Sequence, residues 1–191
     1  LPAARTLPSG GLLYLYGPYK QDGRHTAPSN AEFDASLRAR DPAFDVARFL
    51  IGARSAYEMI VLAFANGDRR ALKDLLSSEV YDSFEAVIKD REKHEQKTET
   101  RFVSIDKAEL VSAEARDRAA QLTVRFVSQM ISVTRDKTGT IVDGNPDKVA
   151  DITDVWTFAR DTSSRDPNWK LVATESSTFL LQTLGFPAVA E

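Results

Sequence analysis

The apolar periodicity of this chain changes once, and that change decides the class of fold. Up to Ile88 the apolar residues recur every three to five positions, and from Phe102 onward they recur mostly every second position. The first spacing is the stripe of a helix and the second is the face of a strand. Helices first and strands afterwards make an α+β domain, with helices laid on one face of an antiparallel sheet.

In the helical half, Phe44, Phe49, Leu50, Ala53, Tyr57, Ile60, Val61 and Phe64 form one wide stripe over residues 44–66. Asp45 is placed to cap the start, and Gly67, with Asn66 before it, to end the helix in a left-handed turn. Asp68 caps a second, shorter helix that turns Leu72, Leu75 and Leu76 inward. A third helix starts at Ser77 or Ser78. Glu79 and Asp82 favour Ser78, since Ser77 with Val80 makes no capping box. Its stripe is Val80, Tyr81, Phe84, Val87 and Ile88, and it runs out in the charged segment 89–96.

In the second half, Phe102–Val111 and Leu122–Thr134 read as strands. In the latter, Leu122, Val124 and Phe126 share a face while Val127, Ile131 and Val133 continue on the other. This predicts a β-bulge or a sharp bend near Val127-Ser128, which would curve the sheet. Residues 137–150, with Gly139, Gly144 and Pro146, form an extended loop or β-arm. Asp154–Thr174 is a hairpin around a turn of Ser163, Ser164, Asp166, Pro167 and Asn168. Trp156 and Phe158 share one face, and Trp169, Leu171 and Ala173 share a face of the return strand, so both tryptophans point into one core. Three helices on the concave side of a bent four-stranded sheet make a cone with a mouth. Its apolar pocket is expected to be lined by Phe49, Tyr57, Val61, Phe64, Phe84, Phe126, Trp156, Phe158 and Trp169.

Residues 1–40 are punctuated by Pro2, Pro8, Gly10, Gly11, Gly17, Pro18, Gly23 and Pro28, too closely for a long helix. They read as an irregular arm, in part vector-derived, since Ser29-Asn30-Ala31 resembles a cloning remnant. The domain is placed at 41–176, followed by an apolar tail at 177–191.

Composition narrows the function. The net charge of −3 gives no general attraction to nucleic acid. The absence of cysteine excludes disulfides, thiolate catalysis and cysteine–zinc sites. The apolar run Ile60–Ala65 is far short of the roughly 20 residues that cross a bilayer. The chain begins at Leu1, which leaves room for an anchor upstream.

No reaction centre emerges, and no cofactor, metal or catalytic residue is expected. Of the two histidines, His25 lies in the arm and His94 in a solvated helix end, so no Ser-His-Asp set can be assembled. Asp136, Asp143, Asp151 and Asp154 cluster around the long loop. They are ligands of the type calcium takes, but their spacing does not match a calcium loop. Arg135-Asp136 and Arg160-Asp161 read as structural ion pairs, and Gly139 and Gly144 make no phosphate loop. Arg48, Arg54, Arg69, Arg70 and Lys73 decorate the first two helices, and basic residues beside exposed apolar ones bind anionic bilayer surfaces. The plainer reading is a solubilising face, because Glu58, Asp68, Asp74, Glu79 and Asp82 interleave with them.

FDVARFLIGARSAYEMIVLAFANGDRRALKDLLSSEVYDSF (Phe44–Phe84), VRFVSQMISVTRD (Val124–Asp136) and the hairpin DVWTFARD…DPNWKLVAT (Asp154–Thr174) together resemble the Tim44-like domain family, bacterial members more than mitochondrial ones. The resemblance covers about residues 41–175. It implies a cone like that of nuclear transport factor two (cystatin-like) with a large apolar pocket. It also implies peripheral attachment to an inner membrane through anionic, cardiolipin-type lipid, and a non-enzymatic scaffold role among the protein partners of a translocation or membrane-assembly complex. From the helical region it carries over, as lipid contacts, only the five basic residues named above. Two other expectations stand beside it. One is a small-molecule-binding or enzymatic cone, which requires a buried His, Asp or Tyr with a partner. The other is a homo-oligomer in which the apolar arm Leu12–Tyr19 docks on a second copy.

Overall fold

The computed structural model describes residues 20–21, 24–25, 45–116, 118–164, 166 and 168–176. Two short strands, β1 (Lys20–Gln21) and β2 (Arg24–His25), pair antiparallel with each other. The arm Leu12–Tyr19 and the tail 177–191 lie outside the described residues.

Helix α1 spans Val46–Asn66. Asp45, in extended backbone, accepts a hydrogen bond from the Ala47 amide at 2.7 Å and so caps it as expected. Gly67 ends it at φ 70°. The Gly67 amide donates to Phe64 O and the Asp68 amide to Ala63 O, the paired bonds of a Schellman turn. Asp68 then caps α2 (Arg69–Leu75) through the Ala71 amide. Helix α3 (Ser78–Lys93) is capped by Ser77, whose hydroxyl accepts from the Val80 amide at 3.3 Å, and not by Ser78. The local acidic residues did not decide this. The Ser77 amide donates to Leu171 O at 2.9 Å, and Leu76 bridges Leu171 in parallel, so the sheet fixes Ser77 in extended backbone.

Strands β3 (Lys97–Arg116), β4 (Ala119–Arg135), β6 (Ala150–Asp161) and β7 (Lys170–Ser176) run in that order across one antiparallel sheet. A fifth strand, β5 (Ile141–Gly144), pairs with the far end of β4, beyond β6. The expected β-arm is therefore a strand.

The predicted bulge in β4 is corrected. Its burial alternates without a break through Ala120, Leu122, Val124, Phe126, Ser128, Met130 and Ser132, past the expected position, and only at the end are Val133 and Thr134 buried in succession. The register shifts fall on β3, which carries an extra residue between Phe102 and Ser104, between Ile105 and Lys107, and between Leu110 and Ser112. The apolar pattern of β4 changes face in the sequence only because the inward positions 128, 132 and 134 carry hydroxyls, and each hydroxyl is bonded. Ser128 pairs with Tyr57, Ser132 with Thr100 at 3.0 Å, and Thr134 with Thr98 at 2.9 Å. The return strand β7 also departs from the expected alternation. A register shift between Thr157 and Phe158 leaves Val172 unpaired, so Leu171 and Thr174 are the buried residues and Ala173 is not on the face of Leu171.

The three bulges curve the sheet around α1. Ala53, Tyr57, Ile60, Val61 and Phe64 of α1, Leu72 and Leu76, and Val80, Phe84 and Ile88 of α3 close onto Leu122, Val124, Phe126, Trp156, Phe158 and Leu171 in one core.

Candidate functional site

All nine residues expected to line the cone lie in or against that core. Seven are buried, while Phe49 and Trp169 are partly buried and packed on it. Tyr57 stacks on Phe126 at 4.4 Å between centroids and meets Trp156 edge-on at 4.6 Å. Phe64 packs on Phe84 at 4.8 Å, and Phe49 meets Trp169 edge-on at 5.0 Å. The hairpin thus directs both indoles inward, Trp156 into the centre and Trp169 under the first turn of α1.

Within this apolar cluster sits a polar trio. The Tyr57 hydroxyl donates to Asp154 Oδ2 at 2.6 Å and lies 3.0 Å from Ser128 Oγ. All three residues have 0% exposure. Burial, and then the negative charge and hydrogen bond of Asp154, push the Tyr57 phenol far above its ordinary range, so it keeps its proton at every physiological pH. Such a phenol serves as a donor rather than a general base, and walls of Phe102, Phe126 and Trp156 separate it from solvent. The trio is a staple between helix and sheet. Sequence reasoning did not pair these residues, although Asp154 shares its face of β6 with Trp156 and Phe158, which was sufficient to place a carboxylate inside.

The five basic residues do not form one patch. Arg54 is half-buried and donates to Ile105 O at 2.7 Å, at a bulge of β3. Arg69 makes a two-pronged pair with Glu92 at 2.9 and 2.8 Å and approaches Glu85 at 3.5 Å. Arg48, Arg70 and Lys73 are exposed. Arg48 is in the first turn of α1, and about 27 Å of helix separates it from Asn66, where the chain leaves for α2. Arg48, Ile51 and Met59 share the outer stripe of α1, with Ile51 68% and Met59 49% exposed.

Clefts lined by described residues open at both ends of the cone. One of about 830 Å³ lies between the C-terminal ends of α1 and α3 and the turn after β4, with Arg91, Glu92, Glu95, Lys97 and Lys137 among its walls. Its charges are internally matched. Arg91 donates to Phe64 O at 2.5 Å and lies 4.5 Å over the Phe64 ring, while Lys137 pairs with Glu95 at 2.9 Å. Burial pulls the Arg91 guanidinium below its ordinary range. The other, about 630 Å³, lies beside Ser77, Arg118, Arg160 and Lys170. His94 is exposed at the end of α3, and His25 is on β2. The four aspartates diverge, because Asp154 faces the core, Asp151 is exposed beside Gln129, and Asp136 accepts the amides and hydroxyl of its own turn. Among the described residues, no group of three or more His, Cys, Asp or Glu is placed to hold a metal ion. No helix among them is long and apolar enough to cross a membrane.

Helices packed on a curved antiparallel sheet, with the Tyr57 hydroxyl bonded to Asp154 and Ser128 inside it, define an α+β cone domain built around a packed aromatic core. The model of the Tim44-like domain family matches residues 31–176, and the chain belongs to that family. The chain is 29% identical over 141 residues to the human mitochondrial import inner membrane translocase subunit TIM44, covering 72% of this chain and 31% of that protein. It is 27% identical over 141 residues to the Rattus norvegicus protein of the same name, with the same shares covered. The chain thus spans about a third of the length of these relatives. Among solved structures, the intermembrane space region of the chloroplast protein ARC6 matches at a TM-score of 0.49 and 12% identity, over 70% of this chain and 97% of that one.

Proposed function

We propose that this domain is a non-enzymatic, peripheral scaffold at an inner membrane, where it holds protein partners of a translocation or membrane-assembly complex against an anionic lipid surface. The observation that carries this reading is the family match over residues 31–176, with relatives named as subunits of an inner membrane translocase. The outer stripe of α1 supports it further. Arg48 stands one turn from the exposed Ile51, and Met59 continues the stripe, which is the pairing of cation and apolar side chain that suits a bilayer interface. Arg70 and Lys73 add exposed cations at the other end of the helical layer. Arg54 and Arg69 serve the fold, through Ile105 O and Glu92.

Flotation with vesicles of phosphatidylcholine alone, and with cardiolipin added, tests the lipid part. Binding only in the presence of cardiolipin, lost when Arg48, Arg70 and Lys73 are changed to glutamine, is the expected result. Equal failure with both vesicles removes lipid from the reading.

The alternative, a small-molecule-binding or enzymatic cone, draws on the buried Tyr57–Asp154 pair, the kind of group it requires. The closure of the core over that pair favours the scaffold reading.

A further inference from the structure

Three of the six large apolar side chains that are most exposed among the described residues lie within nine residues of chain, on the arm that carries β5. They are Ile141 (41%), Val142 (47%) and Val149 (44%). The arm is held rigidly. Asp136 Oδ1 accepts from the Thr138 amide, the Thr138 hydroxyl and the Thr140 amide, and Arg135 donates to Gly139 O at 3.0 Å. At the other end Gly144, at φ 78°, lies so close to β4 that a Cβ there would sit 2.2 Å from Ser132 O. The Asn145 amide donates to that same oxygen at 3.1 Å. A segment fastened at both ends that still presents apolar side chains to solvent has the character of an interaction surface.

The chemistry of the occupant follows from the edge and its charge. β5 pairs with β4 along one edge, and among the described residues no strand pairs with its other edge. Asp136, Asp143, Asp147 and Asp151 lie along the arm, against Arg135, which pairs in register with Ile141, and Lys148, since Lys137 is engaged by Glu95, so the arm is net acidic. An added strand would gain main-chain hydrogen bonds from the edge and side-chain contacts at alternate positions. The acidic rim selects a cationic partner.

We propose that the open edge of β5 receives an extended segment of a partner protein, with apolar and basic residues alternating, as an added strand. This names the chemistry of a partner for the scaffold reading, but it uses none of the residues assigned to lipid. Vesicle flotation and peptide binding therefore fail independently.

The test uses the full chain and two labelled octapeptides, one alternating lysine with valine and one alternating glutamate with valine. The lysine peptide is expected to give a saturable rise in anisotropy and to shift the amide resonances of residues 141–144. Its affinity should fall about tenfold in Ile141→Thr/Val142→Thr and in Asp143→Asn/Asp147→Asn/Asp151→Asn, equivalent to about 1.4 kcal/mol. All five changes are at half-buried or exposed positions, so circular dichroism should remain that of the parent chain. The proposal is overturned by any of four outcomes. These are no saturable binding up to about 1 mM, affinity unchanged in both variants, equal binding of the glutamate peptide, or amide shifts confined to other strands. A sedimentation mass that falls from dimer to monomer in Ile141→Thr/Val142→Thr would assign the edge to a second copy of the chain and overturn it as well.

Discussion

The Tyr57 hydroxyl donates to Asp154 Oδ2 at 2.6 Å, tying the middle of α1 to the central strand β6 across 97 residues of chain. A hydrogen bond to a carboxylate in an apolar core contributes more than most, because losing it leaves a buried acceptor without its donor. Tyr57→Phe should therefore destabilise the domain by about 1–3 kcal/mol while preserving the ring stack on Phe126. Ser128→Ala, which removes the weaker partner, should cost less. Urea denaturation of the two single variants and the double variant checks this. A Tyr57→Phe chain as stable as the parent would mean that the trio is not a staple.

The same pair sets an alkaline limit. Burial raises the Tyr57 phenol above its ordinary value of about 10 in the folded state. A raised acid contributes its full stability below the unfolded value and loses it as pH climbs toward the folded one. Stability should thus be level through neutral pH and fall from about pH 10 upward, because the unfolded chain can ionise this tyrosine and the folded chain cannot. Thermal melts between pH 7 and 11 measure the slope, and Tyr57→Phe should flatten it.

Gly144 and Gly67 share a left-handed backbone, at φ 78° and 70°, but differ in surroundings. At Gly67 an added Cβ would meet only Ile88 Cγ2 at 3.4 Å, an ordinary contact, so Gly67→Ala should cost about 1 kcal/mol from the backbone alone. At Gly144 the Cβ would overlap the Ser132 carbonyl, which is itself bonded to the Asn145 amide. Gly144→Ala should cost more, and should release β5 from β4 while leaving the core intact. Hydrogen exchange resolves the two, with early loss of protection confined to residues 132–145 in Gly144→Ala.

The fold was legible wherever one residue decides a local conformation. Asp45, Asp68 and Gly67 mark helix ends through their own side chain or lack of one, and each mark held. Ser77 against Ser78 was not legible, because Leu171, far along the chain, makes the choice. The bulge was misplaced for a related reason. An inward hydroxyl such as Ser128 looks like a change of face until its partner on another element is known. The core aromatics were legible as a set, because period and burial agree. Which of the five basic residues are spent inside the fold was not legible, since Ile105 O and Glu92 are brought to them only by tertiary packing.

That division of the basic residues predicts three different responses to one chemical change. Arg54→Gln takes a charged donor from the half-buried Ile105 carbonyl at a bulge of the edge strand, and should lower stability by about 1–2 kcal/mol in low and high salt alike. Arg69→Gln removes an exposed pair in which the Glu92 hydrogen bond raises the arginine pKa and lowers that of the glutamate. Its effect on stability should be smaller, and should vanish in high salt as screening removes the attraction from the parent chain. Arg48→Gln, Arg70→Gln and Lys73→Gln should leave the melting temperature unchanged, since all three side chains are exposed, and should weaken flotation with anionic vesicles. Melting each variant at two salt concentrations, beside flotation of the same samples, separates the three groups. If Arg54→Gln behaved like Arg70→Gln in both assays, the assignment of Arg54 to the fold would be wrong.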